Sequence, residues 1–284
     1  MEKTEQGCLY LCATPIGNLG DITVRVLETL RAADAVWAED TRRTLQLLNH
    51  FEIRKPLFSC HEHNERECAA QLVQQLQNGA QIVYVSDAGM PGISDPGAVL
   101  VQTCIRENLP FEVLPGASAV LMSAVLSGMD CHSFTFFGFL PREKRPRRET
   151  LTQLKACPHL MLVYESPLRL PATLRELAEE LGAQRQAAVM RELTKIHEEA
   201  VRGTLASLCE HFREPPKGEC VIAIEGGVGE TEPTVQPDLD QVLLQLLSQE
   251  LSTKDAAAQA AQLCGVPKKH AYRRALALSS EEEK

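Results

Sequence analysis

A loop rich in glycine and proline is the first candidate for a binding site in this sequence. It reads Ser86-Asp-Ala-Gly-Met-Pro-Gly-Ile-Ser-Asp-Pro-Gly97 and follows an apolar, β-branched run at 81–86. Three glycines and two prolines within twelve residues make the loop stiff and leave its backbone bare. Because an ordinary turn does not need this composition, the loop is predicted to bind a ligand through backbone amides and carbonyls, with Asp87 at the strand end.

Charged residues follow a second apolar run, at 35–38. Glu39 and Asp40 come directly after it, and Arg42 and Arg43 fall one turn into the helix that follows. These groups can be a helix cap with a surface arginine pair, or they can line a cleft that holds a polar substrate. The sequence leaves both interpretations open.

A third loop, Ser59-Cys-His-Glu-His-Asn-Glu65, combines histidine with cysteine. Cys60, His61, His63 and Cys68 suggest zinc, but their spacing fits no usual zinc finger, and adjacent cysteine and histidine do not easily chelate one tetrahedral ion. No metal site is therefore predicted. The loop either faces a polar substrate or is the solvated start of a helix.

Two further loops place glycine and small residues after apolar runs. They are Ala13-Thr-Pro-Ile-Gly-Asn-Leu-Gly-Asp21 and Leu114-Pro-Gly-Ala-Ser-Ala119. The first is similar to a phosphate-binding turn, with Asp21 as the predicted helix N-cap, but it has neither GxGxxG spacing nor the lysine of a Walker motif. A plain strand-to-helix turn is the simpler interpretation of the first loop, whereas the second leaves room for a ligand.

The elements that must position these loops alternate between short apolar runs and segments with helical periodicity. This alternation, with short connections, predicts right-handed βαβ units and a mostly parallel sheet, in which ligands bind at the carboxyl ends of the strands. Strands are predicted at 9–13, 35–38, 56–60, 81–86, 111–114, 159–164, 187–190 and 220–224, with helices between most of them.

Two segments of different composition divide the chain. Residues 142–148 are basic and broken by proline, and residues 226–238 have few apolar side chains, so both are predicted to be linkers. We predict an N-terminal α/β domain at 1–130, a second α/β domain at 131–227, and a linker with a helical tail at 228–284. No internal repeat is evident.

Composition excludes several other classes of protein. The 284 residues are 44% hydrophobic and carry a formal net charge of -9, so the chain is globular and does not coat nucleic acid nonspecifically. Its ten cysteines are scattered along the chain, and the chain is long enough not to need disulfides, which together indicate a reducing compartment. The N-terminus is neither a signal nor a transit peptide, and no apolar run of about 20 residues spans a membrane. A cytoplasmic protein is predicted.

Taken together in order and spacing, the five loops resemble those of the RsmI-type methyltransferases. The motifs are TPIGNLGDIT, AEDTRRT, SCHEHNE, SDAGMPGISDPG and LPGASA, and the resemblance covers residues 8–226. These enzymes belong to the class III, tetrapyrrole-methylase superfamily and use S-adenosylmethionine to methylate the ribose 2′-oxygen of a cytidine in small-subunit ribosomal RNA. Segments of the tail, STKDAAA, VPKK and YRR, also resemble the C-terminal helical module of the family.

The resemblance implies two α/β domains with the cofactor in the cleft between them, a homodimer, and neither metal nor membrane. The first domain would carry the substrate-facing loops and part of the cofactor site, and the second would close the cleft. Loop 13–21 would face the acceptor substrate rather than a phosphate, with Pro15 and Asn18 as contacts. Residues implied to bind S-adenosylmethionine are Asp87, Gly89, Met90, Gly92, Ile93, Ser118 and Ala119, with Tyr164, Leu168 and Ala223 near the adenine.

The implied reaction needs few catalytic groups from the protein. The donor carries an activated methyl group, so the protein must mainly align the hydroxyl, and a nearby base adds about 10²–10⁴-fold. The candidate bases are Asp40, His61, Glu39 and Asp21, and the sequence does not choose among them. We expect Asp40 or His61 to meet the hydroxyl, with Arg42 and Arg43 as substrate contacts.

RNA affinity must be local because the chain as a whole is acidic. Two basic clusters are the predicted contacts, one with Arg145 and Arg147 and the other with Lys268 and Lys269, although both can be solvated charge. The helix pair predicted at 252–264 and 267–278 has helix-turn-helix spacing. This helix pair can bind RNA or a ribosomal protein, or it can pack within the dimer.

Two other functions stay open. A methylase of a tetrapyrrole or another small molecule belongs to the same superfamily, but the charged loops of the first domain disfavour it. A non-catalytic RNA-binding or ribosome-assembly protein would not need the intact loop 86–97. The sequence names neither the modified nucleotide nor the assembly state of the RNA substrate.

Overall fold

The computed structural model describes residues 6–227, 239–248, 251–264 and 266–281. The chain divides into two compact units, Met1–Gly227 and Val228–Lys284. Beyond residue 227, the linker predicted at 226–238 lies outside the described residues. No helix in the described part of the chain is long and apolar enough to cross a membrane.

The first sheet of the larger unit is parallel throughout, with strand order β3-β2-β4-β1-β5. Apolar clusters cover both of its faces, which explains why its strands are continuous apolar runs. Its strands are β1 (Cys8–Cys12), β2 (Ala35–Ala38), β3 (Leu57–Ser59), β4 (Gln81–Val85) and β5 (Phe111–Leu114). The helices that follow them are α1 (Val24–Ala32), α2 (Thr41–His50), α3 (Glu65–Gln77), α4 (Ala98–Arg106) and α5 (Ala119–Ser127).

The second sheet of this unit is mixed, with order β6-β7-β10-β8-β9. Of its described strand pairs only β6–β7 is parallel, so the predicted parallel arrangement is correct for the first sheet and wrong for the second. The edge strands β6 and β9 were not predicted. The strands are β6 (Phe134–Phe139), β7 (Leu160–Glu165), β8 (Gln186–Arg191), β9 (Glu199–Thr204) and β10 (Cys220–Ile224), and the helices are α6 (Lys144–Ala156), α7 (Leu170–Leu181) and α8 (Leu205–His211).

Helix α5 joins the two halves of the larger unit. It follows the last strand of the first sheet, yet Val120 and Ala124 pack in an apolar cluster with residues of β7, β8 and β10. Ile16 of the first loop contacts the same cluster. The first loop and α5 therefore attach the ends of the first sheet to one face of the second.

Two predictions of local structure are wrong. Residues 142–148 are not a linker but lead into α6, where Pro146 is tolerated because backbone amides of the first helical turn have no partner within the helix. Asp21 does not cap α1 but ends a short 3-10 turn, and Thr23 is the cap, with its Oγ1 accepting from the Val26 amide at 3.1 Å.

The second unit is a small helical bundle in its described part. Its helices are α9 (Leu239–Leu247), α10 (Thr253–Leu263) and α11 (Lys268–Glu281). Leu243, Ala257 and Ala271 lie in its core, and Arg274 of α11 forms an ion pair with Asp240 of α9. The predicted fold class, α/β domains of the tetrapyrrole-methylase type followed by a helical tail, is confirmed, whereas the boundary at residue 130 stays a prediction.

Candidate functional site

Hydrogen bonds join the first and fourth loops at the carboxyl ends of β1 and β4. The Thr14 amide donates to the Gly89 carbonyl at 2.9 Å, and the Gly89 amide donates back to the Thr14 carbonyl at 3.0 Å. The fifth loop also lies close, because a Cβ at Gly116 would be 2.7 Å from the Cβ of Ala13. Three of the loops that the sequence singled out therefore form one surface.

The fourth loop has a conformation that depends on glycine where it enters α4. Gly97 has φ of 130°, and a Cβ there would lie 3.1 Å from the ring of Tyr84 and 3.2 Å from the Gly92 amide nitrogen. The Gly92 amide donates to the Pro96 carbonyl at 3.0 Å, which closes the loop on itself. This part of the loop is a compact turn in which a side chain at 97 would crowd Tyr84 and Gly92 and would have to adopt a backbone conformation that favours glycine.

Asp87 connects the loop that follows β4 with the charged residues that follow β2. Its Oδ1 accepts from the Asp40 amide at 3.1 Å, and its Oδ2 lies 3.2 Å from Nη1 of Arg43. Its own amide donates to Oε2 of Glu39 at 3.3 Å. Residues predicted for the cofactor and for catalysis thus form one network of hydrogen bonds.

The two carboxylates that follow β2 differ in basicity. Asp40 caps α2, and the hydrogen bonds from Arg42 hold its pKa at about 2. Burial raises the pKa of Glu39, and the charge of Asp87 adds to this increase. Because a carboxylate with a low pKa is a weak base near neutral pH, the arrangement favours Glu39 over Asp40 as a proton acceptor.

Asp95 is a site residue that the sequence analysis missed. Burial raises its pKa to about 6, and the charges of Glu39 and Asp87 act in the same direction. Its charge also helps to raise the pKa of Tyr164, which burial brings to about 12. The charge of Asp95 therefore acts on groups of both sheets, on the acidic network of the first and on Tyr164 of the second.

The Asn64 side chain forms hydrogen bonds with the backbone of the third loop. The His61 amide donates to Oδ1 of Asn64 at 2.7 Å, and Nδ2 of Asn64 donates to the Ser59 carbonyl at 3.1 Å. Nδ1 of His61 is buried without a hydrogen-bond partner in the described part of the chain. No group of three or more histidine, cysteine, aspartate or glutamate side chains in the described ranges is arranged to hold a metal ion.

A pocket of about 220 Å³ opens beside this network. Its volume is below the range of about 300–1,000 Å³ that is usual for whole small-molecule ligands, so it suits one ring or a part of a nucleotide. Thr14 is only 4% exposed, and its Oγ1 has no hydrogen-bond partner among the described residues. The lining residues are Thr14, Pro15, Leu19, Arg43, Thr44, Gln46, Leu47, Ser86 and Asp87.

The second sheet approaches the site at two places. A Cβ at Gly138 of β6 would lie 3.3 Å from Oγ of Ser94 in the fourth loop. A Cβ at Gly17 of the first loop would lie 2.5 Å from Cγ of Lys195, in the connection between β8 and β9. The fourth loop is therefore placed where the two sheets meet.

Four other residues predicted to bind the cofactor lie in the fourth loop and at the start of α5. Met90 is half-buried and Ile93 is exposed in the fourth loop. Ser118 caps α5, where its Oγ accepts from the Leu121 amide at 3.4 Å, and Ala119 begins that helix.

The three residues predicted to lie near the adenine differ in exposure. Ala223 is fully buried in the cluster beneath α5, so its side chain does not reach an open surface. Leu168 is 80% exposed in the turn that follows β7. Tyr164, by contrast, has its ring edge-on to Phe136 and Phe139, at centroid distances of 4.8 and 5.4 Å.

The basic residues predicted to bind RNA separate into exposed and structural side chains. The side chain of Arg147 is 16% exposed and donates to Glu176, Thr173 and the Pro141 carbonyl, which fixes α6 on α7. Arg145 is exposed and pairs with Glu149 at 3.1 Å.

The other predicted substrate contacts are mostly exposed. Lys268 and Lys269 lie on the exposed side of α11, and Arg42 is exposed and paired with Asp40. Asn18 caps the 3-10 turn through its Oδ1, and Asp21 is exposed in that turn. Neither of these two residues lines the pocket.

Comparison with known sequences identifies two family matches. A profile for Tetrapyrrole (Corrin/Porphyrin) Methylases matches residues 8–209, and a profile for the RsmI C-terminal HTH domain matches residues 233–279. A protein of Synechocystis sp. named Ribosomal RNA small subunit methyltransferase I is 42% identical over 277 residues, which cover 97% of this chain and 99% of that protein. A relative of the same name from Thermotoga maritima is 44% identical over 221 residues, which cover 78% of this chain and 99% of that protein.

Solved structures share the fold at low sequence identity. Diphthine synthase matches with a TM-score of 0.61 at 15% identity, covering 77% of this chain and 90% of that one. A uroporphyrin-III C-methyltransferase from Thermus thermophilus, complexed with S-adenosylhomocysteine, matches with a TM-score of 0.54 at 19% identity, covering 76% and 97%.

The family profile spans most of the chain, and close relatives extend over nearly all of it. The two hydrogen-bonded loops that follow β1 and β4 contain two of the motifs on which the resemblance rests, TPIGNLGDIT and SDAGMPGISDPG. The chain belongs to the tetrapyrrole methylase family and, within it, to the family of ribosomal RNA small subunit methyltransferase I.

Proposed function

We propose that this protein transfers a methyl group from S-adenosylmethionine to the ribose 2′-oxygen of a cytidine in small-subunit ribosomal RNA. The observation that carries the proposal is 42% identity, over 97% of the chain, to a relative named for methylation of that RNA. The motifs of the five loops supply the finer assignment to a cytidine 2′-oxygen. The acidic network and the pocket beside it support the proposal that the reaction takes place there.

The residues of the fourth loop fit a cofactor that is held largely by backbone. Gly89 is buried with φ of 77°, and it takes part in the bridge to Thr14 that brings the first loop beside the fourth. Asp87, Gly89, Met90 and Gly92 would hold S-adenosylmethionine from this side, and Tyr164 would approach from the second sheet. When bound, the cofactor supplies a methyl group on a sulfonium ion.

Glu39 is the residue that we assign to proton acceptance. Burial raises the pKa of its carboxyl group, and the hydrogen bond from the Asp87 amide orients it. Arg43 and Thr14 line the neighbouring pocket, where they would position the nucleotide. Most of the acceleration would come from this positioning of the ribose hydroxyl, with proton removal as a smaller contribution.

The second unit is proposed to bind RNA through one side of α11. Lys268, Lys269 and Arg273 are exposed there together with Tyr272, whereas Ala271 and Ala275 face the core. Cationic side chains attract phosphates, and an exposed aromatic ring can stack on an unpaired base. This cluster is positive in a chain whose net charge is -9, so it can supply the local RNA affinity that the composition requires.

Removal of residues 239–284 is expected to weaken RNA binding and to leave cofactor binding unchanged. The larger unit has its own apolar clusters, and almost the whole Thermotoga maritima relative aligns with only 221 residues of this chain. Calorimetry with S-adenosylhomocysteine and an RNA-binding titration at several salt concentrations measure the two properties. Equal RNA affinity in the shortened and full-length proteins would contradict this role of the tail.

Activity on two kinds of acceptor distinguishes the proposed function from its alternatives. We expect methyl transfer to small ribosomal subunits that lack the modification, and none to precorrin-type tetrapyrroles. Mass spectrometry of nucleosides identifies the product as a 2′-O-methylated cytidine. Transfer to the tetrapyrrole alone would favour a small-molecule methylase, and failure to bind S-adenosylmethionine would favour a non-catalytic RNA-binding protein.

The proposal also includes the cellular setting that the resemblance implies. The protein would act in the cytoplasm, as a homodimer, on RNA within the assembled small subunit. Sedimentation of the purified protein tests the dimer, and comparison of naked RNA with assembled subunits tests the form of the substrate.

A further inference from the structure

Glu65 connects the third loop to the fourth through a buried carboxylate. It is the first residue of α3 and is 7% exposed. Its Oε1 accepts from the Gly97 amide at 2.7 Å and from the Val99 amide at 3.1 Å. Both amides belong to the start of α4, so Glu65 supplies the cap of a helix that is not its own.

The start of α4 needs a cap from elsewhere. Gly97 occupies the N-cap position and has no side chain that can accept from the first amides of the helix. The carboxylate of Glu65 replaces that missing acceptor, and its negative charge is favourable at a helix N-terminus. Among the ion pairs of the described residues, none includes Glu65, so amides rather than a cation solvate its charge.

One of the two amides that donate to Glu65, that of Gly97, is also the last of the fourth loop. Gly97 lies against the Tyr84 ring and the Gly92 amide, and Gly92 is bonded to the Pro96 carbonyl. Tyr84 in turn donates its hydroxyl to the Cys60 carbonyl at 3.1 Å. The third loop is therefore bonded to the end of the fourth loop through Glu65 and to Tyr84 of β4, beside that loop, through Cys60.

We infer that Glu65 is a positioning residue that fixes the donor-binding loop by capping α4 from the third loop. The inference rests on the proposed function, because that function places the methyl donor against residues 86–97. It also gives this part of the third loop a role that differs from the predicted contact with substrate. Glu65 acts through the backbone of Gly97 and Val99 and does not contact the donor.

The test measures the dissociation constant of S-adenosylhomocysteine by calorimetry for the wild type, Glu65→Gln and Glu65→Ala. We expect Glu65→Ala to raise this constant by about tenfold or more, because the last amide of the loop and an amide in the first turn of α4 lose a charge-assisted acceptor. Glu65→Gln keeps an acceptor oxygen without the charge, so its constant is expected between those of the wild type and Glu65→Ala. Hydrogen exchange at the Gly97 and Val99 amides should accelerate in the same order.

Asp34→Asn is the matched control. Oδ2 of Asp34 accepts from the Gln81 amide at 2.8 Å, at the opposite end of β4 from the fourth loop. A general loss of stability would lower the melting temperature of either variant without raising the dissociation constant. We expect Asp34→Asn to bind S-adenosylhomocysteine like the wild type.

The outcomes separate this inference from the proposed function. If the wild type binds S-adenosylhomocysteine and both Glu65 variants bind it with the wild-type constant, the positioning role is wrong. If the wild type itself does not bind the compound, the proposed function fails instead. Should Glu65→Ala not fold, Glu65→Gln and its exchange rates at Gly97 and Val99 decide the question alone.

Discussion

Replacing Glu39 by glutamine is expected to lower kcat by about 10²–10⁴-fold, the range typical of a lost general base. Glutamine keeps an oxygen that can accept from the Asp87 amide, so the fourth loop should retain its conformation. The dissociation constant of S-adenosylhomocysteine is therefore expected to stay within about twofold of the wild-type value. Single-turnover methylation of small ribosomal subunits measures the chemical step.

Asp40→Asn is the matched comparison for Glu39→Gln. Asp40 already has a pKa of about 2 because Arg42 donates to it, so it accepts protons poorly near neutral pH. We expect its replacement to reduce kcat by less than about tenfold, through the loss of a helix cap and an ion pair. A larger loss in Asp40→Asn than in Glu39→Gln would reverse the assignment.

The pH dependence of the wild type gives a second check on Glu39. A general base must be ionised, and burial raises the pKa of this carboxyl group above its usual value. The rate is therefore expected to fall as pH decreases through the raised pKa, at a higher pH than for an ordinary glutamate. This acidic limb should be absent from Glu39→Gln.

Gly97→Ala is expected to abolish tight cofactor binding and to destabilise the protein by about 1–3 kcal/mol. The backbone at Gly97 has φ of 130°, and a Cβ would lie 3.1 Å from Tyr84 and 3.2 Å from the Gly92 amide nitrogen. The turn must therefore shift to accommodate even a methyl group. Chemical denaturation measures the stability, and calorimetry with S-adenosylhomocysteine measures the binding.

Gly182→Ala separates backbone strain from crowding at the site. Gly182 ends α7 in the second half of the unit with φ of 97°, but a Cβ there would have no atom of the described residues within 4 Å. Its replacement should cost about 1–3 kcal/mol and leave cofactor binding unchanged. Equal binding by Gly97→Ala and Gly182→Ala would show that the compact turn at 97 does not support the cofactor.

The proximity of the first, second and fourth loops could be predicted from the sequence. Residue types near in the chain mark each loop, and the topology of a parallel sheet places the loops at one edge. Apolar runs end at Ala13, Ala38 and Ser86, and glycine or acidic residues follow each of them. In a parallel sheet the carboxyl ends of strands share one edge, so these loops must be neighbours. The bridge between Thr14 and Gly89 is the direct consequence.

The environments of Arg147 and Ala223 could not be predicted from the sequence, because their partners are distant in the chain. Arg147 lies in a basic run that is typical of an RNA contact, but its partners Thr173 and Glu176 come from another helix. Ala223 lies in a strand whose cover, α5, comes from the first half of the unit. Neither partner can be recognised from residues nearby in the chain.

The roles of Asp95 and Glu65 also depend on tertiary structure. Both are acidic residues in polar segments, where a solvated carboxylate is the usual expectation. Burial beside Glu39 changes the pKa of Asp95, and the approach of α3 to α4 turns Glu65 into a cap. A signal for Glu65 existed in the sequence, because Gly97 begins a helix without a side-chain cap of its own.

A crystal structure of the protein with S-adenosylhomocysteine tests the proposed location of the methyl donor most directly. We expect the compound to lie between the two sheets, against the backbone of residues 86–97, with its sulfur facing the pocket lined by Thr14 and Asp87. A compound bound elsewhere on the protein, or a fourth loop without contact to it, would contradict this location.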